Sequence, residues 1–487
     1  MGNPNRKRNI LASLAILLLL GLLAGMVWYD RQSKLSVNQD DQVQTSMNHQ
    51  QEDKDIEEFQ EDKQSQEDSD QESQADDPSE EKDNPLSQEE TDEDNAMPES
   101  SNLPSLADLE GKDTPGEFQA TDNQVTLRSI GGMTLGQSVS KSASMGSDSY
   151  KKALEDFISQ GYQPNQDGQR GYDFGLMFQD MAPFIAYADM SLSQVNQAAA
   201  YPQLPQSEYP TANAPSAIFY DLAETGVDYV SLASGHIYDK GASAIQATVN
   251  NAKNADLKVG GAFTSQEDMD SARIEEINGM KIGFLSYTMD LNGNILAEGE
   301  THLTSFFTQD MMAEEVAAMK ELSDGVVVNI YTSEESMTDP NEHIQSTFQT
   351  IADAGANVII GHNPNALQGF QWLNNQATLV LNSQASFLTS AQEIDNKLSG
   401  IFEFTFVKSG DQVKVDMPKF MPTITLGGQD DQYYRVVPLA DYNKYDIPQG
   451  QELWNQVGQT LNTQDTGVEL VSHLETADTV EQADQHR

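Results

Sequence analysis

Ala354-Gly355-Ala356-Asn357-Val358-Ile359-Ile360-Gly361-His362-Asn363-Pro364-Asn365 is the stretch on which the fold reading turns. Before it, His343–Ala354 has helical spacing, and Gly355 closes that helix. Asn357–Ile360 is a short run rich in β-branched residues, the pattern of a strand buried on both faces. The run ends in a loop of glycine, histidine and asparagine around a proline. The stretch therefore predicts a helix, a buried strand and a loop carrying donor side chains.

The same unit recurs on either side. Tyr150–Ser159, Ser216–Glu224 (ending at Gly226), Ala244–Ala255 and Gln309–Leu322 read as helices. Val125–Leu127 reads as a strand that stops at a Gly131-Gly132 turn. Tyr229–Ala233, Lys281–Tyr287, Gly325–Tyr331, Thr378–Asn382 and Gly400–Val407 read as further strands. This βαβα succession predicts an α/β domain, and the closely spaced later strands predict a sheet that is not wholly parallel. In such sheets ligand sites gather in the loops after the strands. Those loops hold Gly131-Gly132, Gln194–Asn196, Gly235-His236, Tyr331–Glu335, Gly361–Asn365 and Gln384–Ser386. An amphipathic stretch follows residue 448, and the acidic end Thr476–Arg487 reads as frayed.

The N-terminal quarter has a different texture. Asn9–Tyr29 is a run of 21 residues without a charge, long enough to cross a bilayer. Arg6, Lys7 and Arg8 place residues 1–8 in the cytoplasm, and Trp28 and Tyr29 suit the far interface. An uncleaved anchor at 9–29 is the expectation. A cleaved signal peptide is the lesser reading, because Ala24-Gly25 is a poor small-x-small site. Either way the domain is expected outside the cytoplasm. Residues 31–120 hold 28 Asp/Glu against 6 Lys/Arg, with few apolar residues. Such a segment is expected to remain a disordered, self-repelling tether across 30–120.

Charge and composition exclude several functions. The formal net charge is −50, which opposes nucleic-acid binding and docking on anionic headgroups. Cations or a cationic polymer are the electrostatically reasonable partners. With no cysteine in the chain, a disulfide framework, a thiolate metal site and a cysteine nucleophile are excluded. No Gly-x-Ser-x-Gly elbow or phosphate-binding glycine loop is present.

Residues from about Val125 to Val407 resemble the CapA-type capsule or poly-γ-glutamate synthesis proteins. The resemblance is carried by Gly171-Tyr172-Asp173-Phe174, Ala188-Asp189-Met190-Ser191-Leu192, Val230–Asp239, Ile277–Thr288 and Ala354–Asn365. It implies a metallophosphoesterase-like layered sandwich of β-sheets flanked by helices. The α/β domain is expected to span 121–448, with 449–487 as a C-terminal helical stretch and acidic tail. The family's Gly-Asp-Ile-Met-Leu-Gly appears as Gly131-Gly132-Met133-Thr134-Leu135-Gly136, and its Asn-Leu-Glu as Gln194-Val195-Asn196. Its Asn-Asn-His appears as Ser234-Gly235-His236, its His-Trp-Gly as Tyr331-Thr332-Ser333, its His-Pro-His as Asn363-Pro364-Asn365 and its Gly-Asn-Phe as Ala385-Ser386-Phe387.

At the ligand positions implied by the resemblance, Gly132, Asn196, Gly235, Tyr331, Asn363 and Asn365 have replaced the family residues, and His236 remains. A dinuclear hydrolytic site needs anionic oxygens and imidazoles to hold two ions about 3.5–4 Å apart. Glycine supplies no side-chain donor, and asparagine supplies only a neutral oxygen. No cofactor is therefore expected. His236, paired with Asp239, is the remnant candidate for a catalytic role, with a hydrogen-bonded loop histidine as the plainer reading. Glu334 and Glu335 could supply replacement carboxylates or form a solvated loop end. The leading expectation is a surface protein that assists assembly of an envelope polymer, by binding the polymer or a membrane-complex protein, without metal-dependent catalysis. The rivals are an active hydrolase or transferase and a scaffold of a membrane complex.

Overall fold

The computed structural model describes residues 123–159, 171–333, 339–410, 412–429 and 432–477. The predicted membrane segment, the tether, Glu334, Glu335 and most of the acidic end lie outside these residues. No described helix is long and apolar enough to cross a membrane.

In chain order the strands are β1 (Gln124–Met133), β2 (Met190–Val195), β3 (Ala198–Tyr201), β4 (Asn213–Pro215), β5 (Tyr229–Ser231), β6 (Lys258–Gly260), β7 (Ile274–Ile277), β8 (Met280–Thr288) and β9 (Gly325–Tyr331). They continue with β10 (Val358–His362), β11 (Gln368–Leu373), β12 (Thr378–Ser383), β13 (Ser386–Leu388), β14 (Leu398–Ser409), β15 (Gln412–Leu426), β16 (Arg435–Pro438) and β17 (Glu469–Leu470). One sheet runs β16-β15-β14-β1-β2-β5-β6, with β13 beside β1 and β17 beside β15. The other runs β11-β12-β10-β9-β8-β7. Both are mixed: β1, β2, β5 and β6 are parallel, as are β8, β9, β10 and β12, whereas β14 is antiparallel to β1, β14–β16 are antiparallel to one another, and β7 and β11 run antiparallel to their neighbours.

Side chains at every second strand position share a face, and one face of each sheet enters a common core. That core joins Leu127, Leu192, Tyr229 and Phe402 of the first sheet to Phe284, Val327, Ile360 and Leu381 of the second. The opposite face of the first sheet packs under Ala217–Thr225 and Ala242–Asn254, through Ile218, Leu222, Ile245 and Val249. Gln309–Leu322 and Glu342–Asp353 carry buried apolar faces of their own. Met319 of the first of these two helices packs against Gly283 of β8. The α/β domain expected from the strand and helix pattern is thus present, with sheets that are not wholly parallel.

Three details depart from the expectation. The first strand does not stop at the glycine pair. β1 continues to Met133, because Gly132 pairs with Gln194 on one side and Ser386 on the other. The glycines instead absorb a register shift between Ser129 and Gly132, with Gly131 at φ +76°. Gln194 and Val195 belong to strand β2 rather than to the loop after it. The segment after residue 448 is part of the same core: Leu453, Trp454 and Val457 of helix Gly450–Thr460 join the inter-sheet cluster, and Leu470 pairs with Phe420. An amphipathic helix buries its apolar face wherever a sheet offers one, and here the sheet was the domain's own.

Candidate functional site

The loops at the carboxyl ends of β1, β2, β5, β9 and β10 bring most of the candidate residues together in two clusters. Gly132 faces Asn196: a Cβ on Gly132 would lie 2.7 Å from Asn196 Nδ2. Asn196 is 9% exposed, and its Nδ2 donates to Thr134 Oγ1 at 2.9 Å. Thr134 Oγ1 in turn lies 2.8 Å from Ser386 Oγ. The amide therefore occupies the space that a carboxylate side chain at position 132 would need.

Gly235 stands in the same relation to Tyr331. A Cβ there would meet Tyr331 Cε1 at 3.1 Å and Asp290 Oδ2 at 3.0 Å. Tyr331 ends β9, is 5% exposed and pairs in register with His362. A parallel bridge between Gln197 and His236 ties the loop of the first cluster to that of the second.

His236 Nδ1 lies 2.8 Å from Asp239 Oδ2. Asp239 also accepts from the Ala212 backbone N–H at 2.8 Å, Asn292 Nδ2 at 2.9 Å and Asn294 Nδ2 at 3.3 Å. Its side chain has no solvent exposure, and the His236 side chain is 18% exposed. Held by this many donors, the buried Asp239 carboxyl group fixes the orientation of the imidazole from the Nδ1 side. Tyr209, 76% exposed, meets the His236 ring edge-on at 6.4 Å.

The remaining candidates scatter. Asn363 sits at φ +94° and donates to the Thr332 carbonyl at 2.7 Å, so its side chain serves the backbone of the neighbouring strand end. Asn365 is exposed. His362 is 1% exposed, and burial presses its pKa down to about 3, which keeps the ring neutral.

Asp290, Asn292 and Asn294 are the site residues that the sequence reading passed over. Asp290 follows the end of β8, a strand recognised in sequence, and the strand-end rule would have reached it had it been applied to that loop.

These residues do not fit a pair of divalent ions. The positions the resemblance implies as ligands offer neutral amides, one phenol and one imidazole; of the two carboxylates beside them, Asp239 is engaged by His236, the Ala212 N–H, Asn292 and Asn294, and Asp290 fills the space at Gly235. Among the described residues, no three or more His, Asp or Glu side chains gather where they could hold a metal.

A family model described as bacterial capsule synthesis protein PGA_cap matches residues 126–389, more than half of the chain. The chain belongs to this family. The family match covers the site loops from β1 through β13 and stops before β14. The capsule biosynthesis protein CapA of Bacillus anthracis is 28% identical over 153 residues, 31% of this chain and 37% of that protein. The PGA biosynthesis protein CapA of Bacillus subtilis (strain 168) is 24% identical over 191 residues, 39% of this chain and 50% of that protein. The aligned parts thus span half or less of these curated relatives.

Solved structures are also similar, among them two phosphoesterases. A phosphatase from Mycoplasma pneumoniae has a TM-score of 0.36 at 10% identity, covering 62% of this chain and 95% of that one. The calcineurin-like phosphoesterase YfkN of Bacillus subtilis has a TM-score of 0.34 at 12% identity, covering 68% and 99%. Likeness at this level carries no functional weight; the family membership rests on the sequence match.

Proposed function

We propose that this PGA_cap-family protein assists assembly of a capsule or another envelope polymer as a membrane-anchored, extracellular component without metal-dependent catalysis of its own. One observation carries this reading: the two family ligand positions occupied by glycine are filled from within, position 132 by Asn196 and position 235 by Tyr331 and Asp290. Neutral amides and a phenol, whose pKa is about 10, hold divalent ions poorly. The uncharged run Asn9–Tyr29 behind Arg6-Lys7-Arg8 supports the anchor and the outward orientation. The strongly acidic chain binds a polymer or a membrane-complex protein; a bare polyanion such as polyglutamate binds only through bridging cations.

The test is metal analysis of the full chain purified in detergent, with and without added Mn²⁺, together with binding of labelled polyglutamate in the presence and absence of Ca²⁺. The reading expects no stoichiometric metal and polymer binding that requires the cation. A tightly held pair of ions with chelator-sensitive phosphoesterase or amide-hydrolase activity would sink it. A second reading, a hydrolase or transferase, is favoured by the His236–Asp239 pair lying beside Asp290. It requires turnover that His236→Ala abolishes.

A further inference from the structure

The inter-sheet core changes character one step before the site. Along each central strand, the same-face positions run from apolar to polar toward the carboxyl end: Leu192 to Gln194, Tyr229 to Ser231, Phe284 to Ser286, Val327 to Asn329, Ile360 to His362 and Leu381 to Ser383. The first member of every pair belongs to the inter-sheet cluster. The second members are all 3% exposed or less. Six strands from two sheets thus contribute one buried, uncharged polar layer between the hydrocarbon core and the strand-end loops.

Part of this layer satisfies itself. Ser286 Oγ lies 3.0 Å from Tyr229 OH, Ser383 Oγ donates to the Pro364 carbonyl at 3.1 Å, and His362 Nε2 lies 3.3 Å from Asn329 Oδ1. Gln194 Nε2 donates to the Ala233 carbonyl at 2.8 Å, which orients the amide. Four atoms from four strands remain without a protein partner: Gln194 Oε1, Ser231 Oγ, Asn329 Nδ2 and His362 Nδ1. Gln194 and Ser231 are register partners on adjacent strands; Asn329 and His362 also lie on adjacent strands, with His362 two positions beyond Ile360, the register partner of Asn329. Asn196 Oδ1 and Ser234 Oγ, one step nearer the loops, are likewise buried and unpartnered.

Buried polar atoms without partners are rare in folded proteins, and several of them left dry would remove much of a domain's marginal stability. The group is neutral throughout and mixes acceptors, a donor and hydroxyls that can serve as either. A water molecule takes two to four such partners; a divalent ion does not suit a set containing an amide donor and no carboxylate. We infer that the polar layer is a binding site for a cluster of ordered water molecules that hydrogen-bonds across the two sheets. The inference is independent of how the strand-end loops function.

Two measurements on the full chain in detergent test it. A crystal structure at a resolution that orders water should show waters bonded to Gln194 Oε1, Ser231 Oγ, Asn329 Nδ2 and His362 Nδ1. Urea unfolding of Ser231→Ala, Asn329→Leu and the double variant should show each single change favouring unfolding by about tenfold. The double change should cost less than the two together, because the shared waters are lost once. A dry layer, with single changes neutral or stabilising, overturns the inference and leaves the proposed function standing. Metal density bonded to these atoms overturns both.

Discussion

Asn196 occupies the space beside Gly132, so the two residues form one packed unit. Restoring only the family's aspartate, as Gly132→Asp, would put a Cβ 2.7 Å from Asn196 Nδ2. Overpacking of this kind costs about 1–3 kcal/mol. The variant is expected to melt at lower temperature than the parent and to bind no Mn²⁺, checked by calorimetry and elemental analysis. A Gly132→Asp protein that is as stable as the parent and retains metal would show that the site still opens.

The second cluster gives a coupling experiment. Gly235→Asn meets Tyr331 Cε1 and Asp290 Oδ2 at 3.1 and 3.0 Å from its Cβ alone. The single variant should lose about 1–3 kcal/mol. Tyr331→Ala added to it should recover part of that loss, giving a coupling of about 0.5–3 kcal/mol. Strict additivity in chemical denaturation would contradict the packing described.

Asp239 anchors His236 and three further donors. Asp239→Ala leaves the Ala212 N–H without its acceptor, while Asn292 and Asn294 keep only the carbonyls of Pro210 and Leu291, a loss of about 1–3 kcal/mol. Nitrogen NMR of the His236 ring should show Nδ1 losing its hydrogen-bonded signature. An unchanged imidazole spectrum would remove Asp239 from the orienting role.

His362 makes stability depend on pH. Burial lowers its pKa from 6.5 to about 3 in the folded protein. Its stabilising contribution is therefore fully present above the unfolded value, about 6.5, and is lost as pH falls from there toward 3. Within that window the unfolded chain holds one more proton at this site, a slope of up to about 1.4 kcal/mol per pH unit. His362→Gln should flatten the dependence of the urea midpoint on pH between 6 and 4, relative to the parent. Parallel curves for the two proteins would show that His362 is not the titrating group.

Arg128 of β1 ties its strand to β14 and to the C-terminal segment. It is 1% exposed, pairs with Glu403 at 2.6 Å, and donates to the carbonyls of Phe184 and Glu475. Lys419 gives Glu403 a second cation at 3.1 Å. Arg128→Met leaves a buried carboxylate with one partner and should cost about 3–5 kcal/mol. Glu403→Gln in the same background should recover part of that, read by denaturation.

Much of this architecture was legible in the sequence, and the failures have physical causes. Gly325–Tyr331 and Gln309–Leu322 appear in the structure with the predicted bounds, because an unbroken β-branched run and a capped helical period each allow one interpretation. β15 was not recognised: Pro418 and Pro422 interrupt it, and Lys414, Asp416 and Lys419 break its apolar pattern. The structure tolerates Pro422 because it falls between the residues that pair with β17 and those that pair with β16. The glycine pair in β1 read as a turn because glycine usually marks one; only its pairing on both sides explains the strand. At the site, the resemblance singled out Gly132, Asn196, Gly235 and Tyr331, and the structure places them in two close pairs. The further neighbour of Gly235 was not legible, because Asp290 reaches it from 55 positions away in the chain.

The placement of β1 has a consequence for how the molecule is made. This earliest strand sits between β2 and β14, with Gln124 opposite Val407 and Ser129 opposite Phe402. β15, on the far side of β14, is in turn paired by residues 469–470. A chain emerging from its N-terminus therefore presents its central strand long before the partner that flanks it exists. Closure of this sheet waits for nearly the last fifty described residues, and such long-range pairing folds slowly. The first strand of this sheet thus keeps one free edge until residues 398–409 have been made, and the domain commits to its final shape late in synthesis.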